Sequence, residues 1–200
     1  MLAGGPSYAK SDNKVPFLNR YAATHAYAPR GFRRPRDGVR APGRGLRRRA
    51  DPRVWAASVC TALSPWRTEI GTLTTRTQQQ MTAKTTPAQA KENLVRLLGG
   101  AESASETARE QVQKAGVPDV DGGESVAKGF LRSLTAVRDA YGKAKQGIEQ
   151  LDAGQADPFY DGVQSVMNTL TSEYNRSALD TSALDSEELK QAFDEVPECR

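Results

Sequence analysis

Residues 122–151 read GGESVAKGFLRSLTAVRDAYGKAKQGIEQL. Val126, Phe130, Leu134, Val137, Tyr141, Ala144, Ile148 and Leu151 advance by 4, 4, 3, 4, 3, 4 and 3 positions. An α-helix turns once in about 3.6 residues, so this spacing lines the apolar side chains along one face. The stretch predicts a long helix with a sustained seam, which other helices must cover. Ala136, Ala140 and Ala144 recur every four positions and suit close approach by a neighbour.

The same period continues on both sides of this stretch. Upstream, KAGVP (114–118) punctuates the chain: Gly116 suits a left-handed helix end and Pro118 prevents continuation. The helix ending there carries Leu94, Leu97, Leu98, Ala101, Ala104, Ala108 and Val112, and is weakened at Gly99-Gly100. It starts at TTPAQ, with Thr86 as cap, Pro87 in the first turn and Gln89 completing a capping box. Further upstream, Asp51-Pro52 opens a helix with Trp55, Val59, Leu63, Trp66, Ile70 and Leu73 on one face. Pro65 should kink that helix or restart it with Ser64 as cap. The central helix itself begins after Asp121, with Glu124 three residues on. Downstream, Asp157-Pro158 repeats the capping device before Phe159, Val163, Met167, Leu170 and Tyr174. LDSEELKQAF (184–193) then opens a short last helix, with Asp185 as cap and Glu188 at the box position.

No segment alternates with β-branched or aromatic enrichment, so no strands are expected. The fold class is all-α: an antiparallel bundle of about four helices plus a short C-terminal helix. Trp55 and Trp66 should anchor the core at one end. This domain spans residues 51–200, long enough to bury most of one hydrophobic core.

Residues 1–50 differ in kind. Residues 1–53 hold 13 Lys or Arg against Asp12, Asp37 and Asp51, a net charge of +10. The remainder holds 15 basic and 21 acidic residues, a net −6. RGFRRPRDGVRAPGRGLRRRA (30–50) is too poor in apolar surface to offset the entropy of ordering its backbone. The segment is expected to be a disordered Arg/Pro/Gly-rich arm. One reading makes it a solvated tail. In another, Arg33, Arg34, Arg36, Arg40, Arg44, Arg47, Arg48 and Arg49 contact nucleic-acid phosphates without sequence preference. In a third, the start codon is assigned too far upstream and the arm is not part of the natural protein. The first 50 residues contain no apolar core of the length a secretory signal requires. No stretch approaches the ~20 apolar residues of a membrane span.

The chain has two cysteines, one near each end of the predicted body. Cys60 borders the apolar face of the first helix, and Cys199 follows Phe193 and Val196 by about one turn. Their even number and placement favour one intramolecular disulfide, Cys60–Cys199, stapling the last helix to the first. That bridge implies an oxidising compartment. The plainer reading is two unpaired thiols in a reducing cytosol. Two cysteines with the lone His25 in the arm do not make a zinc site, and no Cys-x-x-Cys pair is present.

Catalytic constellations are scarce. The predicted body has no histidine, which excludes Ser-His-Asp and Cys-His arrangements there. No phosphate-binding glycine loop occurs, and GGES (122–125) is accounted for by ordinary helix capping. Asp119/Asp121, Glu187/Glu188 and Asp194/Glu195 read as helix starts and solvated faces. Phe130, Tyr141, Phe159 and Tyr174 read as core, with Tyr160 beside the stripe. No enzyme, cofactor or metal is indicated.

WAASVC (55–60), a tryptophan six residues later in SPWRTEI, AGVPDVDGG, DSEELKQAF and the terminal ECR together form a recognisable layout. It resembles the small secreted or lipoprotein-type helical proteins of high-GC Gram-positive bacteria, over residues 51–200. The resemblance implies a non-enzymatic exported protein, acting at or outside the cell envelope on a protein or envelope partner. Such proteins normally begin with a signal peptide or lipobox, which is not seen here. It supplies no catalytic residues to carry over. The alternative is a cytoplasmic protein whose basic arm binds nucleic acid.

Overall fold

The computed structural model describes residues 49–177 and 186–200. They form an antiparallel bundle of four long helices with a short fifth: α1 Pro52–Gln80, α2 Pro87–Lys114, α3 Gly123–Gln150, α4 Ala156–Ser177 and α5 Glu187–Glu195. A 3-10 turn, Pro197–Cys199, follows α5. The rest of the basic arm, including Arg33, Arg34, Arg36, Arg40, Arg44, Arg47 and Arg48, lies outside the described residues.

The seam of α3 organises the packing, and its two halves face different partners. Phe130, Leu134 and Val137 pack with Trp55, Val59 and Trp66 of α1, Ala108 and Val112 of α2, and Leu189 of α5. Ala140, Ala144 and Ile148 pack instead with Leu94 and Leu98 of α2 and Leu170 of α4. Helices α2 and α3 therefore form the central pair, with α1 closing one half of the seam and α4 the other. Ala140 and Ala144 are buried as their spacing suggests, whereas Ala136 is exposed.

Several helix ends follow the predicted chemistry. The Asp51 carboxylate accepts hydrogen bonds from the Arg53 and Val54 amides at 3.0 and 3.4 Å. Thr86 and Gln89 form the reciprocal box: the Gln89 amide donates to Thr86 Oγ1 at 3.3 Å, and the Thr86 amide donates to Gln89 Oε1 at 3.0 Å. Gly116 has φ of 78°, the left-handed region expected past the end of α2.

Other ends differ. Helix α1 runs unbroken from Pro52 to Gln80 and does not restart at Ser64. The Pro65 ring lies on the exposed side, while buried Trp55, Val59, Trp66 and Leu73 hold both halves of the helix against the core. Tertiary packing on either side outweighs the one backbone bond the imide removes. Gly99 and Gly100 likewise lie inside a continuous α2, with Leu73 packed over Gly100. Helix α4 opens at Ala156, so Asp157 sits in its first turn rather than at its cap; there it still faces the positive end of the helix dipole. The cap of α5 is Ser186, whose hydroxyl accepts from the Leu189 amide at 3.3 Å. Asp185 lies outside the described residues.

The expectation of no strands is corrected in one place. Strands β1, Arg49–Ala50, and β2, Val117–Pro118, pair in parallel, Arg49 opposite Val117 and Ala50 opposite Pro118. The Asp119 amide continues the ladder to the Ala50 carbonyl at 2.8 Å. Arg49 and Ala50, assigned above to the arm, thus belong to the folded body. Two paired residues have no periodicity to read, and the pairing spans the whole length of α1 and α2.

This pairing fixes the turn into α3. Gly122 takes φ of 72° as the helix cap, and no side chain caps the end. A Cβ on Gly123 would lie 2.1 Å from the Pro118 carbonyl oxygen. Backbone on both sides of that contact is held, one by β1 and one by α3, so neither yields cheaply. Gly123→Ala is expected to destabilise the protein by about 1–3 kcal/mol, in the range of overpacked sites. Urea unfolding followed by circular dichroism measures it, and an unchanged midpoint would contradict the contact.

Candidate functional site

The chemistry predicted from sequence converges where α5 and the 3-10 turn lie on the first turns of α1. Cys60, buried on α1, and Cys199, half-buried in the 3-10 turn, are joined in a disulfide with their Cα atoms 5.0 Å apart. Trp55, Phe130 and Phe193 meet beside this bridge. Trp55 sets its ring edge-on to Phe130 at 5.3 Å and to Phe193 at 5.9 Å, while the two phenyl rings stack 5.9 Å apart. Ala56, Ala192 and Val196 fill the space between α1 and α5. Trp55 Nε1 donates to the Gly116 carbonyl at 3.1 Å, tying α1 to the turn after α2. On the outer side, Arg53 pairs with Glu195.

Beside this cap, α1 and α2 border an open groove of about 920 Å³. Val54, Ala57, Ala62, Pro65, Ala104 and Ala108 give it a largely apolar wall, and Glu69 and Lys114 are its charged members. Val54 is 59 % exposed, high for a side chain of its kind. Trp66 lies at the groove and donates from Nε1 to the buried Ser105 hydroxyl at 3.0 Å. Ser105 in turn donates to the Ala101 carbonyl at 2.7 Å.

A second polar feature spans α2 and α3. Glu106 accepts from Arg109 on its own helix, at 2.6 Å from Nη2, and from Arg138 on α3, at 2.7 Å from Nη1. Arg138 also donates to Asp139 at 2.6 Å. These two guanidinium hydrogen bonds pull the Glu106 carboxyl down from its ordinary 4.5 to about 2. The unfolded chain takes up this proton near pH 4.5, whereas the folded one resists until about pH 2. The cluster's contribution is therefore complete above pH 4.5 and lost as pH falls toward 2. Glu106→Gln is expected to flatten the acid limb of the stability curve in that window, as measured by denaturant unfolding at a series of pH values. An acid limb identical to the parent's would contradict the assignment.

Burial raises the pKa of both Tyr141 and Tyr174, whose rings meet edge-on at 6.4 Å between α3 and α4. Both tyrosines are half-buried and pack against the edge of the core, not within it as their spacing suggested. Tyr160 is 40 % exposed beside the buried Phe159.

The paired carboxylates do not converge. Asp119 accepts from Arg49 at 3.1 Å and Glu187 from Lys190 at 2.7 Å; Asp121, Glu188 and Asp194 face solvent. Among the described residues, no group of three or more His, Cys, Asp or Glu side chains is placed to hold a metal, and no helix is long and apolar enough to cross a membrane. His25 lies outside the described residues. Arg49 is the one predicted nucleic-acid contact within them, and its side chain remains 61 % exposed despite its ion pair.

Sequence reasoning found the bridge but missed the groove and the Glu106 cluster. The i,i+3 pair of Glu106 and Arg109 was visible in the sequence, but Arg138 lies 32 positions away and only the α2–α3 packing brings it in. No protein-family model, curated protein sequence or solved structure matches the chain.

Proposed function

We propose that this is a non-enzymatic helical-bundle protein, exported to work at or outside the cell envelope by binding a protein or envelope partner. The observation that carries the reading is the Cys60–Cys199 bridge, because disulfides form and persist chiefly in oxidising compartments. The acidic charge of the body and the resemblance of its sequence layout to small secreted or lipoprotein-type proteins of high-GC Gram-positive bacteria support it. The apolar α1–α2 groove, with exposed Val54 on its wall, is the surface this reading assigns to the partner.

The test is the thiol state in the native host. Cells are fractionated, free thiols are alkylated on lysis, and the peptides containing Cys60 and Cys199 are mapped without reduction. A linked peptide in the exported fraction is the expected result. Two alkylated thiols in a cytoplasmic pool would overturn it.

The +10 charge of residues 1–53 favours a second reading, a cytoplasmic protein whose arm binds nucleic acid. Such binding is mostly counterion release, so affinity for a DNA duplex would fall linearly on a log–log plot against salt. It would also vanish when residues 1–48 are deleted. A salt titration of both proteins by fluorescence anisotropy decides this. Binding that survived the deletion would place the contact on the folded body.

A further inference from the structure

We infer that α5 and the 3-10 turn form a redox-released strap, closed by the Cys60–Cys199 disulfide and opened by dithiol exchange to uncover an apolar face on α1 and α3. The two cysteines differ in exposure. Cys60 is 6 % exposed on α1, whereas Cys199 is half-buried in the outer turn, which makes Cys199 the side from which an incoming thiolate approaches. Attack there forms a mixed disulfide between the reductant and Cys199. The Cys60–Cys199 bond breaks, its electron pair goes to Cys60 as thiolate, and Cys60 then takes up a proton. The second thiol of the reductant closes on the first and releases Cys199 as a thiol. The dithiol is oxidised to a disulfide and the protein bridge is reduced to two thiols. Re-oxidation runs the same steps in reverse.

Release follows from how little else holds the strap. Leu189, Ala192, Phe193 and Val196 are its apolar contacts, and the Arg53–Glu195 pair at its edge is solvent-exposed. An exposed ion pair adds little, and these few side chains must hold the whole of residues 186–199 in order. The central pair of helices does not share this weakness. Leu98 is 1 % exposed, and the half of the α2–α3 interface built on Leu94, Leu98, Ala140, Ala144 and Ile148 contains no part of the strap. The bundle thus remains folded while the strap leaves. What the strap covers is apolar: Trp55, Ala56 and Val59 are fully buried and Phe130 is 3 % exposed beneath it. Opening would expose these apolar side chains together.

Hydrogen exchange of the full chain, with and without dithiothreitol in native buffer, tests the proposal. On reduction, amides of residues 187–196 are expected to exchange roughly 100-fold faster or more, while amides around Leu98 and Ala144 keep their protection. Removing the reductant under air should restore the strap. Acrylamide quenching gives an independent readout, since Trp55 becomes accessible while Trp66 stays bonded to Ser105. Strap amides that stay protected in the reduced protein would overturn the proposal. Loss of protection throughout the bundle together with the strap would overturn it equally.

Discussion

Replacing Trp55 with alanine is expected to destabilise the protein by about 3–5 kcal/mol, the range for losing a large aromatic from a core. Trp55 is fully buried, and it joins elements that are far apart in the chain. Its ring meets Phe130 of α3 and Phe193 of α5, and its indole N–H bonds the Gly116 carbonyl after α2. Truncation opens a cavity and leaves that carbonyl without its partner. Trp55→Phe separates the two effects. It keeps an aromatic ring in the site and removes a hydrogen bond to a half-buried carbonyl, so its loss should be smaller than that of the alanine variant and closer to the ~0.5–1.5 kcal/mol of one such bond. Guanidinium unfolding, followed by far-ultraviolet circular dichroism because one tryptophan is removed, measures both. If the two variants lose the same amount, the hydrogen bond and not the ring is what Trp55 contributes.

What could be read in advance depended on how long a pattern the physics writes. The α3 seam is legible because one spacing repeats from Val126 to Leu151, and the structure buries Phe130, Leu134, Val137, Ala144 and Ile148 on it. The Thr86/Gln89 box is legible because two reciprocal hydrogen bonds demand those residue types three apart. Short-range ambiguities were not. Asp185 and Ser186 both carry a capping oxygen, and only backbone geometry selects Ser186. Pro65 weakens a helix locally, but the decision rests on Trp66 and Leu73 packing against α2, which no local rule contains. Contacts between elements were least legible of all. The β1–β2 pair has two residues a side, and the groove exists only once α1 and α2 are set together. The Cys60–Cys199 bridge is the exception among long-range contacts, since two cysteines allow only one intramolecular pairing.

That bridge should produce the other large effect. The double variant Cys60→Ser, Cys199→Ser is expected to lose roughly 2–5 kcal/mol of stability relative to the oxidised protein. The upper figure follows from chain entropy. The cysteines are 139 positions apart, so the bond closes nearly the whole described body into one loop. Confining an unfolded loop of that length lowers its entropy by an amount worth about 5 kcal/mol at room temperature. Residual compactness in the unfolded chain reduces the gain, which sets the lower figure. Both cysteines are changed because either single variant leaves a free thiol that can pair between molecules. The gain also has a signature in the denaturant slope. With the strap detached, the native state of the double variant buries less surface, so its slope should fall along with its midpoint, although opening the cross-linked unfolded chain works the other way. Hydrogen exchange at residues 187–196 tells these contributions apart, because only strap release changes native-state protection there. A lowered midpoint with a protected strap would assign the whole effect to the unfolded chain. An unchanged midpoint would mean that the bond contributes nothing to folding, and that α5 is held on α1 by Leu189, Phe193 and Val196 alone.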